Sequence, residues 1–262
     1  MERYSDVLFA HDADGERARL ALMAEALDPH TEQRIRALRP KPGGRFLELG
    51  AGLGTVARWL ARTYPSAQVV ATDVSTAFLS ECREPNLLVL RHDLTTDGFR
   101  AASFDLIHLR WVLSNLSDGA RHLRRIASWL APGGVLLVEE ASDFALASTR
   151  HEAYRRTATA CLAAARRRFG ADGAWTRTFP EPLVAAGLRD CGSDGNWPGF
   201  TGGEPWPTFW RVSFQRVLPD ALAAGDITEP EATAGLAALA DPRVHDLGIT
   251  TVAAWGRAAT AH

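Results

Sequence analysis

The chain has 262 residues, of which 46% are hydrophobic and 23% charged, the composition of an ordinary globular protein. Its formal net charge is −2 and its longest run of like charge is Arg166-Arg167-Arg168, which argues against a nucleic-acid partner held by phosphate neutralisation. With no signal core and no apolar stretch of about 20 residues, we expect no membrane partner and a cytoplasmic location. Three cysteines without a CxxC pair predict neither a disulfide framework nor a metal site.

Residues 1–140 begin with a helical pattern and continue as alternating strands and helices. Apolar spacing predicts a helix over 16–27, and Asp28-Pro29, a cap residue followed by proline, predicts the start of a second helix. The next predicted strands are 45–49, 68–72, 87–90, 104–109 and 135–139, with helices at 55–64, 76–83 and 120–130. Because these strands are apolar along their whole length, they predict a buried parallel sheet and a doubly wound α/β fold.

After residue 142 the order of elements changes. A long helix is predicted over 151–169, and a glycine- and tryptophan-rich loop or lid over 195–210. The remaining predicted elements are helices at 183–188, 209–224 and 229–240, a strand near 190–192 and a last strand at 252–256.

The segment Glu48-Leu49-Gly50-Ala51-Gly52-Leu53-Gly54 follows the first predicted strand and opens a helix. Glycines at such a turn allow the backbone to approach a ligand closely. The dinucleotide pattern GxGxxG does not fit, because Thr55 occupies the position of the third glycine counted from Gly50. A carboxylate at Glu48 would suit a ligand that carries an ammonium group, bound directly or through water.

Two acids follow the next strands. Asp73 ends the second predicted strand, where a carboxylate can accept both hydroxyls of a ribose. Asp93 follows the third strand and can accept from the exocyclic amine of adenine, or it can cap the turn that begins near Thr95. The block 104–116 and the sequence LAPGG at 130–134 complete the pattern.

In their order and spacing, these features resemble the class I, Rossmann-like S-adenosylmethionine-dependent methyltransferases. The resemblance is carried by residues 44–140, while Arg3-Tyr4 and Val252–Arg257 resemble the small-molecule enzymes of actinobacteria. It implies a mostly parallel seven-stranded sheet with helices on both faces and an added helical lid. The implied domains are an N-terminal helical cap (1–42), a cofactor-binding core (43–145), and a segment (146–262) of substrate-covering helices, lid loop and terminal strands of the sheet.

The resemblance also implies the cofactor, S-adenosyl-L-methionine, with S-adenosyl-L-homocysteine as product and no metal. The residues that would bind the cofactor are Glu48, Gly50, Ala51 and Gly52 at its methionine part, Asp73 at the ribose, Val74, Asp93 and Leu94 at the adenine, Leu109 and Arg110 near the sulfonium, and Tyr4 closing over it. Many relatives have aspartate at the position of Glu48, so the longer acid can need a bridging water.

A general base is required only when the methyl acceptor carries a proton of high pKa. The catalytic candidates for that base are His108, Tyr4, His11 and His151, followed by Glu204 and Asp143.

Several candidates also have a purely structural interpretation. His108 lies within a predicted strand and can be a hydrogen-bonded core histidine. Arg110 can pair with a structural carboxylate such as Asp105, and Tyr4 can be a surface residue. His151 and Tyr154 share one face of their helix, which can look into a pocket or into solvent.

We expect in-line methyl transfer to oxygen, nitrogen or carbon of a small molecule, by a monomer or homodimer. The eight tryptophans suggest an aromatic or indole-type natural product, although they can equally be core or lid packing. The alternatives are an NAD-dependent oxidoreductase, an RNA or protein methyltransferase, and a non-catalytic cofactor-binding protein. The missing third glycine counts against the oxidoreductase. The sequence HLRW at 108–111, in place of an NPPY-type tetrad, counts against the RNA or protein methyltransferase.

Overall fold

The computed structural model describes residues 15–116, 118–170 and 173–260. Its helices and longer strands are, in chain order, α1 (Glu16–Leu38), β1 (Arg45–Leu49), α2 (Thr55–Thr63), β2 (Gln68–Asp73), β3 (Leu87–Arg91), β4 (Phe104–Arg110), α3 (Gly119–Ser128), β5 (Leu130–Ser142), α4 (Glu152–Phe169), α5 (Glu181–Ala185), β6 (Arg189–Asn196), β7 (Gly199–Thr201), α6 (Pro205–Ala223), α7 (Glu229–Ala238), β8 (His245–Leu247) and β9 (Thr250–Arg257). Short 3-10 helices lie at Ala77–Glu81, Leu113–Asn115, Phe144–Ser148 and Gly173–Thr178.

Seven of the strands form one mostly parallel sheet, in the order β3-β2-β1-β4-β5-β9-β6. The pairs β1–β2, β2–β3, β1–β4 and β4–β5 are all parallel. The chain winds outward from β1 to β3 and then returns to continue on the other side of β1 with β4. The carboxyl ends of β1 and β4 therefore flank the topological switch point, where ligands bind in folds of this kind. The predicted doubly wound sheet is confirmed.

The two faces of this sheet are covered by different helices. Residues alternate between the faces along each strand, because successive side chains of a strand point in opposite directions. Phe46, Leu106 and Leu137 pack with residues of α1 and α2, whereas Leu47 and Leu136 belong to the cluster that includes α3. The central strands are thus buried on both sides, which is why they lack the alternation of a half-exposed strand.

The described residues divide into two compact units. One contains the chain up to Ala26, Ala141–Gly173 and Asn196–Thr251, and the other contains Leu27–Glu140, Ala174–Gly195 and the chain from Val252. In the first unit α4 packs against α6 and α7, and β7 pairs with β8 in an antiparallel two-stranded sheet. The expected helical cap and lid stay predictions, since they concern the role of these segments rather than their secondary structure.

Three sequence-based expectations about elements were wrong. α1 runs through Pro29 as one helix, and the Asp28 carboxylate accepts from Arg110 instead of beginning a second helix. The expected loop at 195–210 contains β7 and the first turn of α6, where proline is tolerated because the first helical N–H groups have no partner within the helix. LAPGG at 130–134 lies within β5, with an irregular register between Phe104 and Leu106.

No helix in the part of the chain that the structure describes is long and apolar enough to span a bilayer.

Candidate functional site

The glycine loop joins β1 to α2 at the carboxyl edge of the sheet. Gly50, Gly52 and Gly54 have φ values of 65°, 53° and 74°, in the left-handed region that glycine adopts without strain. The loop is fixed by hydrogen bonds from Ala51 N to Thr72 O (2.8 Å) and from Gly54 N to Ala51 O (2.7 Å). A Cβ atom at Gly50 would lie 2.5 Å from Val112 Cγ2, so this position has no room for a side chain.

Asp73 ties the glycine loop to the end of β2. Its side chain is 8% exposed, and its Oδ2 accepts from Gly52 N at 2.9 Å while its Oδ1 accepts from Ser75 N at 3.2 Å. A carboxylate has about four lone-pair sites, so an acid at this position can accept from a ligand's hydroxyls in addition to backbone N–H groups. The glycine loop therefore holds the side chain of Asp73 in place.

Glu48 lies at the end of β1, directly opposite His108 in the register of β1 and β4. Its Oε2 is 2.7 Å from His108 Nδ1, and the side chain is 4% exposed. Within residues 15–116, 118–170 and 173–260, no protein donor bonds the Oε1 atom of Glu48. One oxygen of this acid is thus engaged and the other can accept from a ligand.

His108 is fully buried, and both of its ring nitrogens are engaged. Nδ1 faces Glu48, and Nε2 lies 3.1 Å from Oε2 of Glu139. Burial lowers the pKa of His108, but the two carboxylates outweigh burial and raise the pKa to about 9. The expectation that His108 acts as a general base is therefore corrected, because the ring has no free nitrogen; it is the hydrogen-bonded core histidine of the alternative interpretation.

Arg110 is also engaged within the protein. Its Nη2 is 2.7 Å from Asp28 Oδ1, and its Nη1 donates to Thr31 Oγ1 at 2.9 Å. Asp105, the carboxylate first considered as its partner, instead accepts from the backbone N of Arg45. The arginine therefore joins β4 to α1.

The residues expected around the adenine (Val74, Asp93 and Leu94) and Leu109, expected near the sulfonium, have mixed placements. Asp93 Oδ1 accepts from the N (2.8 Å) and the Oγ1 (2.6 Å) of Thr95, which is the capping interaction considered as its alternative role. Leu94 and Leu109 are buried in the core cluster, and Val74 is half-buried with its carbonyl oxygen accepting from Arg91 Nε. Only Val74 and Asp93 of this group keep part of their surface exposed.

The remaining base candidates are Tyr4, His11, His151, Glu204 and Asp143. Tyr4 and His11 are outside the described residues. His151 precedes α4, and its Nε2 lies 3.3 Å from the carbonyl oxygen of His245. Glu204 accepts from Thr201 N before α6, and Asp143 pairs with Arg166.

Two acids at the end of β5 were not among the predicted site residues. Glu139 binds His108 and Arg34, whereas Glu140 accepts from Val112 N, Leu113 N and Ser114 Oγ in the loop after β4. The signal that could have found them is a pair of adjacent acids in an otherwise apolar buried strand, since such acids must have partners.

The arrangement fits S-adenosylmethionine. Two nearly buried carboxylates, Glu48 and Asp73, end the neighbouring strands β1 and β2, and the glycine loop runs between them. They match the ammonium group and the ribose hydroxyls of that molecule, and the absence of Cβ atoms at the three glycines permits its close approach. In the described parts of the chain, no group of three or more acidic, histidine or cysteine side chains could hold a metal ion.

Several known proteins that are similar to this chain are named methyltransferases. Residues 47–138 match the family model described as a methyltransferase domain. Methyltransferase str2 of Strobilurus tenacellus is 41% identical over 100 residues, which cover 37% of this chain and 35% of that protein. Trans-aconitate 2-methyltransferase of Methylobacterium radiotolerans is 30% identical over 183 residues, covering 69% of this chain and 65% of that protein. The chain thus spans less than two thirds of either relative.

A solved structure with a similar fold is also named a methyltransferase. Phosphoethanolamine N-methyltransferase 2 of Haemonchus contortus, solved in complex with S-adenosyl-L-methionine, superimposes with a TM-score of 0.52 at 17% identity, over 98% of this chain and 56% of that one. The matched family segment contains the glycine loop, Asp73 and Asp93. Residues 47–138 of this chain therefore match a methyltransferase domain, and they lie within a doubly wound, Rossmann-like sheet.

Proposed function

We propose that the chain is an S-adenosylmethionine-dependent methyltransferase that acts on a small molecule. The observation that carries this proposal is the glycine loop held between the acids Glu48 and Asp73, inside the segment that matches the methyltransferase domain. The same loop lacks the third glycine that an NAD-binding fingerprint requires.

S-adenosylmethionine would supply an electrophilic methyl carbon, and its C–S bonding electrons would return to sulfur during in-line displacement. The residues of this chain would hold and orient it. Asp73 would accept from the ribose hydroxyls and Glu48 from the ammonium group, while Gly50, Ala51 and Gly52 line the methionine part. Val74 and Asp93 would contact the adenine. Positioning and exclusion of water are the main catalytic contributions that such a reaction requires of a protein.

His151 is the best-supported base among the described candidates. Its Nε2 lies within hydrogen-bonding distance of the His245 carbonyl, which can only accept, so Nε2 donates this bond. In the neutral ring Nδ1 would then carry the lone pair and could take a proton from an acceptor hydroxyl or amine. His151 is also partly exposed, unlike His108.

An aromatic substrate is the class that we propose. Phe144 and Trp197 are 37% and 44% exposed and form an edge-to-face pair with ring centroids 5.8 Å apart. Phe144 lies two residues after the end of β5 in the chain. Trp206 and Trp210, in contrast, are buried and pack with Phe209, so these tryptophans belong to the core of their unit.

A methyl-transfer assay with isotope-labelled S-adenosylmethionine tests this function. The acceptor panel would contain phenols, indoles and aromatic amines, with trans-aconitate included because a relative carries that name. We expect a labelled product and S-adenosylhomocysteine in equal amounts from at least one aromatic acceptor, and loss of both with Asp73→Ala. Turnover of trans-aconitate alone would contradict the aromatic substrate class, and reduction of a substrate by NADH would contradict methyl transfer itself.

A further inference from the structure

Three ionisable residues adjoin one another on the face of the sheet that α1 and α2 cover. They are Glu48 on β1, His108 on β4 and Glu139 on β5, which are adjacent strands. Each lies two residues after an apolar residue of that face (Phe46, Leu106 and Leu137), so it points to the same side. The imidazole of His108 bridges the two carboxylates, at 2.7 Å from Glu48 and 3.1 Å from Glu139. All three side chains are almost completely buried.

This bridge requires a charged ring. A neutral imidazole has one N–H donor and one lone pair, so one of the two carboxylates would face a lone pair. An imidazolium donates from both nitrogens and also compensates part of the buried negative charge. The geometry thus favours the protonated ring, in agreement with the raised pKa described above.

The charges around the bridge do not balance. Glu139 also accepts from Arg34 and Thr31, Arg34 pairs with Asp194, and Arg110 pairs with Asp28. The network therefore contains four carboxylates and three cations, the cations being Arg34, Arg110 and protonated His108. Glu139 has two cationic partners, Arg34 and His108, whereas Glu48 shares its single cation, His108, with Glu139.

We propose that His108 is a positioning residue for the cofactor: as a buried imidazolium it holds Oε2 of Glu48 and leaves Oε1 to accept from the ammonium group of S-adenosylmethionine. This inference rests on the proposed function. Binding of that ammonium group would complete the charge balance of the network. His108 itself touches neither the cofactor nor the substrate in this role.

Two ligands that differ in the amino-acid part distinguish positioning from a merely structural role. S-adenosylhomocysteine carries the ammonium group, whereas 5′-methylthioadenosine has the same adenosine and a thioether but no amino acid. His108→Gln keeps a side chain of similar length but cannot donate to both carboxylates. His122→Gln is the matched control. His122 is a half-buried histidine on α3, and its hydrogen bonds to the described residues are made by its backbone alone.

We expect His108→Gln to weaken S-adenosylhomocysteine binding by roughly 10-fold or more in calorimetry, as loss of a charged hydrogen bond does, and to change methylthioadenosine binding by less than about 3-fold. The control should change neither affinity. Equal weakening of both ligands, or no weakening of either, would overturn the positioning role. Failure of the wild-type protein to bind either ligand would instead refute the proposed function.

A measurement on the wild-type protein covers the case in which His108→Gln does not fold. Nitrogen-15 NMR of the histidine rings should show both nitrogens of His108 protonated at neutral pH, with the shifts of an imidazolium. A neutral His108 ring under those conditions would contradict the proposal independently of any variant.

Discussion

Gly50 combines two constraints that can be separated. Its φ of 65° disfavours any side chain, and a Cβ atom would also meet Val112 Cγ2 at 2.5 Å. Gly187 has a φ of 86°, but a Cβ atom there would meet no other atom within 4 Å, so it has the first constraint alone. The pair therefore allows conformational strain to be distinguished from steric exclusion.

Gly187→Ala should lower the free energy of unfolding by about 1–2 kcal/mol, the cost of a left-handed conformation for an L-residue. Gly50→Ala should cost more, because Val112 or the loop must also move. In the double variant Gly50→Ala/Val112→Ala, most of the additional cost of Gly50→Ala over Gly187→Ala should disappear, as expected for two residues in contact. Chemical denaturation of the wild type and these variants measures the effects, and equal costs at both glycines would contradict the steric role of Val112.

His108 predicts a specific pH dependence of stability. Because its folded-state pKa of about 9 exceeds the usual 6.5, its contribution is complete below pH 6.5 and is lost as the pH rises through 9. The free energy of unfolding of the wild type minus that of His108→Gln should therefore fall by up to roughly 3 kcal/mol over this interval. A difference that stays constant with pH, measured by urea titration, would show that the ring is not charged.

The place of a residue in the fold was predicted better than its partners. Glu48 and Asp73 lie near the carboxyl ends of β1 and β2, and Gly50 follows β1, as the sequence predicted. The two partners of His108 were not predicted, because they come from β1 and β5, and only the register of three strands brings them together. Arg110 was expected near the sulfonium, with Asp105 as its partner in the structural alternative, whereas it binds Asp28 of α1.

At the scale of elements, the end of β5 places two adjacent acids in different environments. Burial alone raises the pKa of Glu139, but His108, Arg110 and Arg34 outweigh burial and lower it to about 2. For Glu140 burial dominates over its hydrogen bonds and raises the pKa to about 7. Neighbouring positions of one strand thus hold a charged and a largely neutral acid, because cationic side chains surround Glu139 whereas Glu140 faces backbone N–H groups and a hydroxyl.

Glu140→Gln tests this assignment. Between the usual pKa of 4.5 and about 7, the unfolded chain releases a proton that the folded protein retains, so the wild type loses stability as the pH rises. Glutamine does not titrate and can still accept from Val112 N and Leu113 N. The unfolding free energy of the wild type relative to the variant should fall by an amount on the order of 3 kcal/mol over that range. A relative stability that rises with pH would mean that Glu140 is charged in the folded state.

α1 is the element whose prediction failed most clearly. Proline after a cap residue is a strong sign of a helix start, yet Pro29 lies in the interior of a 23-residue helix. Local preference was overridden by tertiary contacts, since Asp28 and Thr31 bind Arg110 and Arg34 binds Glu139. None of these contacts can be seen from the sequence of α1 alone.

Pro29→Ala should raise the free energy of unfolding by roughly 1–3 kcal/mol, because proline in a helix interior lacks an N–H donor and crowds the preceding turn. Glu25→Ala, at an exposed position of α1, should change it by less than about 0.5 kcal/mol and serves as the control. A lower stability of Pro29→Ala in thermal or urea unfolding would indicate that proline sets the helix geometry needed by Asp28 and Thr31.

At the scale of the molecule, the sheet strands and the helices α4, α6 and α7 were predicted, whereas the structure of residues 195–210 was not. Continuous apolar strands separated by helices identify a parallel sheet, and all five strands predicted between residues 45 and 139 are present. Around residues 195–210, proline, glycine and tryptophan suggested a loop, but Trp206 and Trp210 are buried on α6. Composition gave no indication of that burial, which depends on packing against Phe209 and Phe214.

The central claim is that the acids beside the glycine loop bind S-adenosylmethionine, and calorimetric titration with S-adenosylhomocysteine tests it most directly. We predict micromolar binding to the wild type, weakened in Asp73→Ala by about 1–3 kcal/mol through loss of a charged acceptor. NADH titrated in parallel should give no heat. Absence of S-adenosylhomocysteine binding together with binding of NADH would contradict the account and support the oxidoreductase alternative.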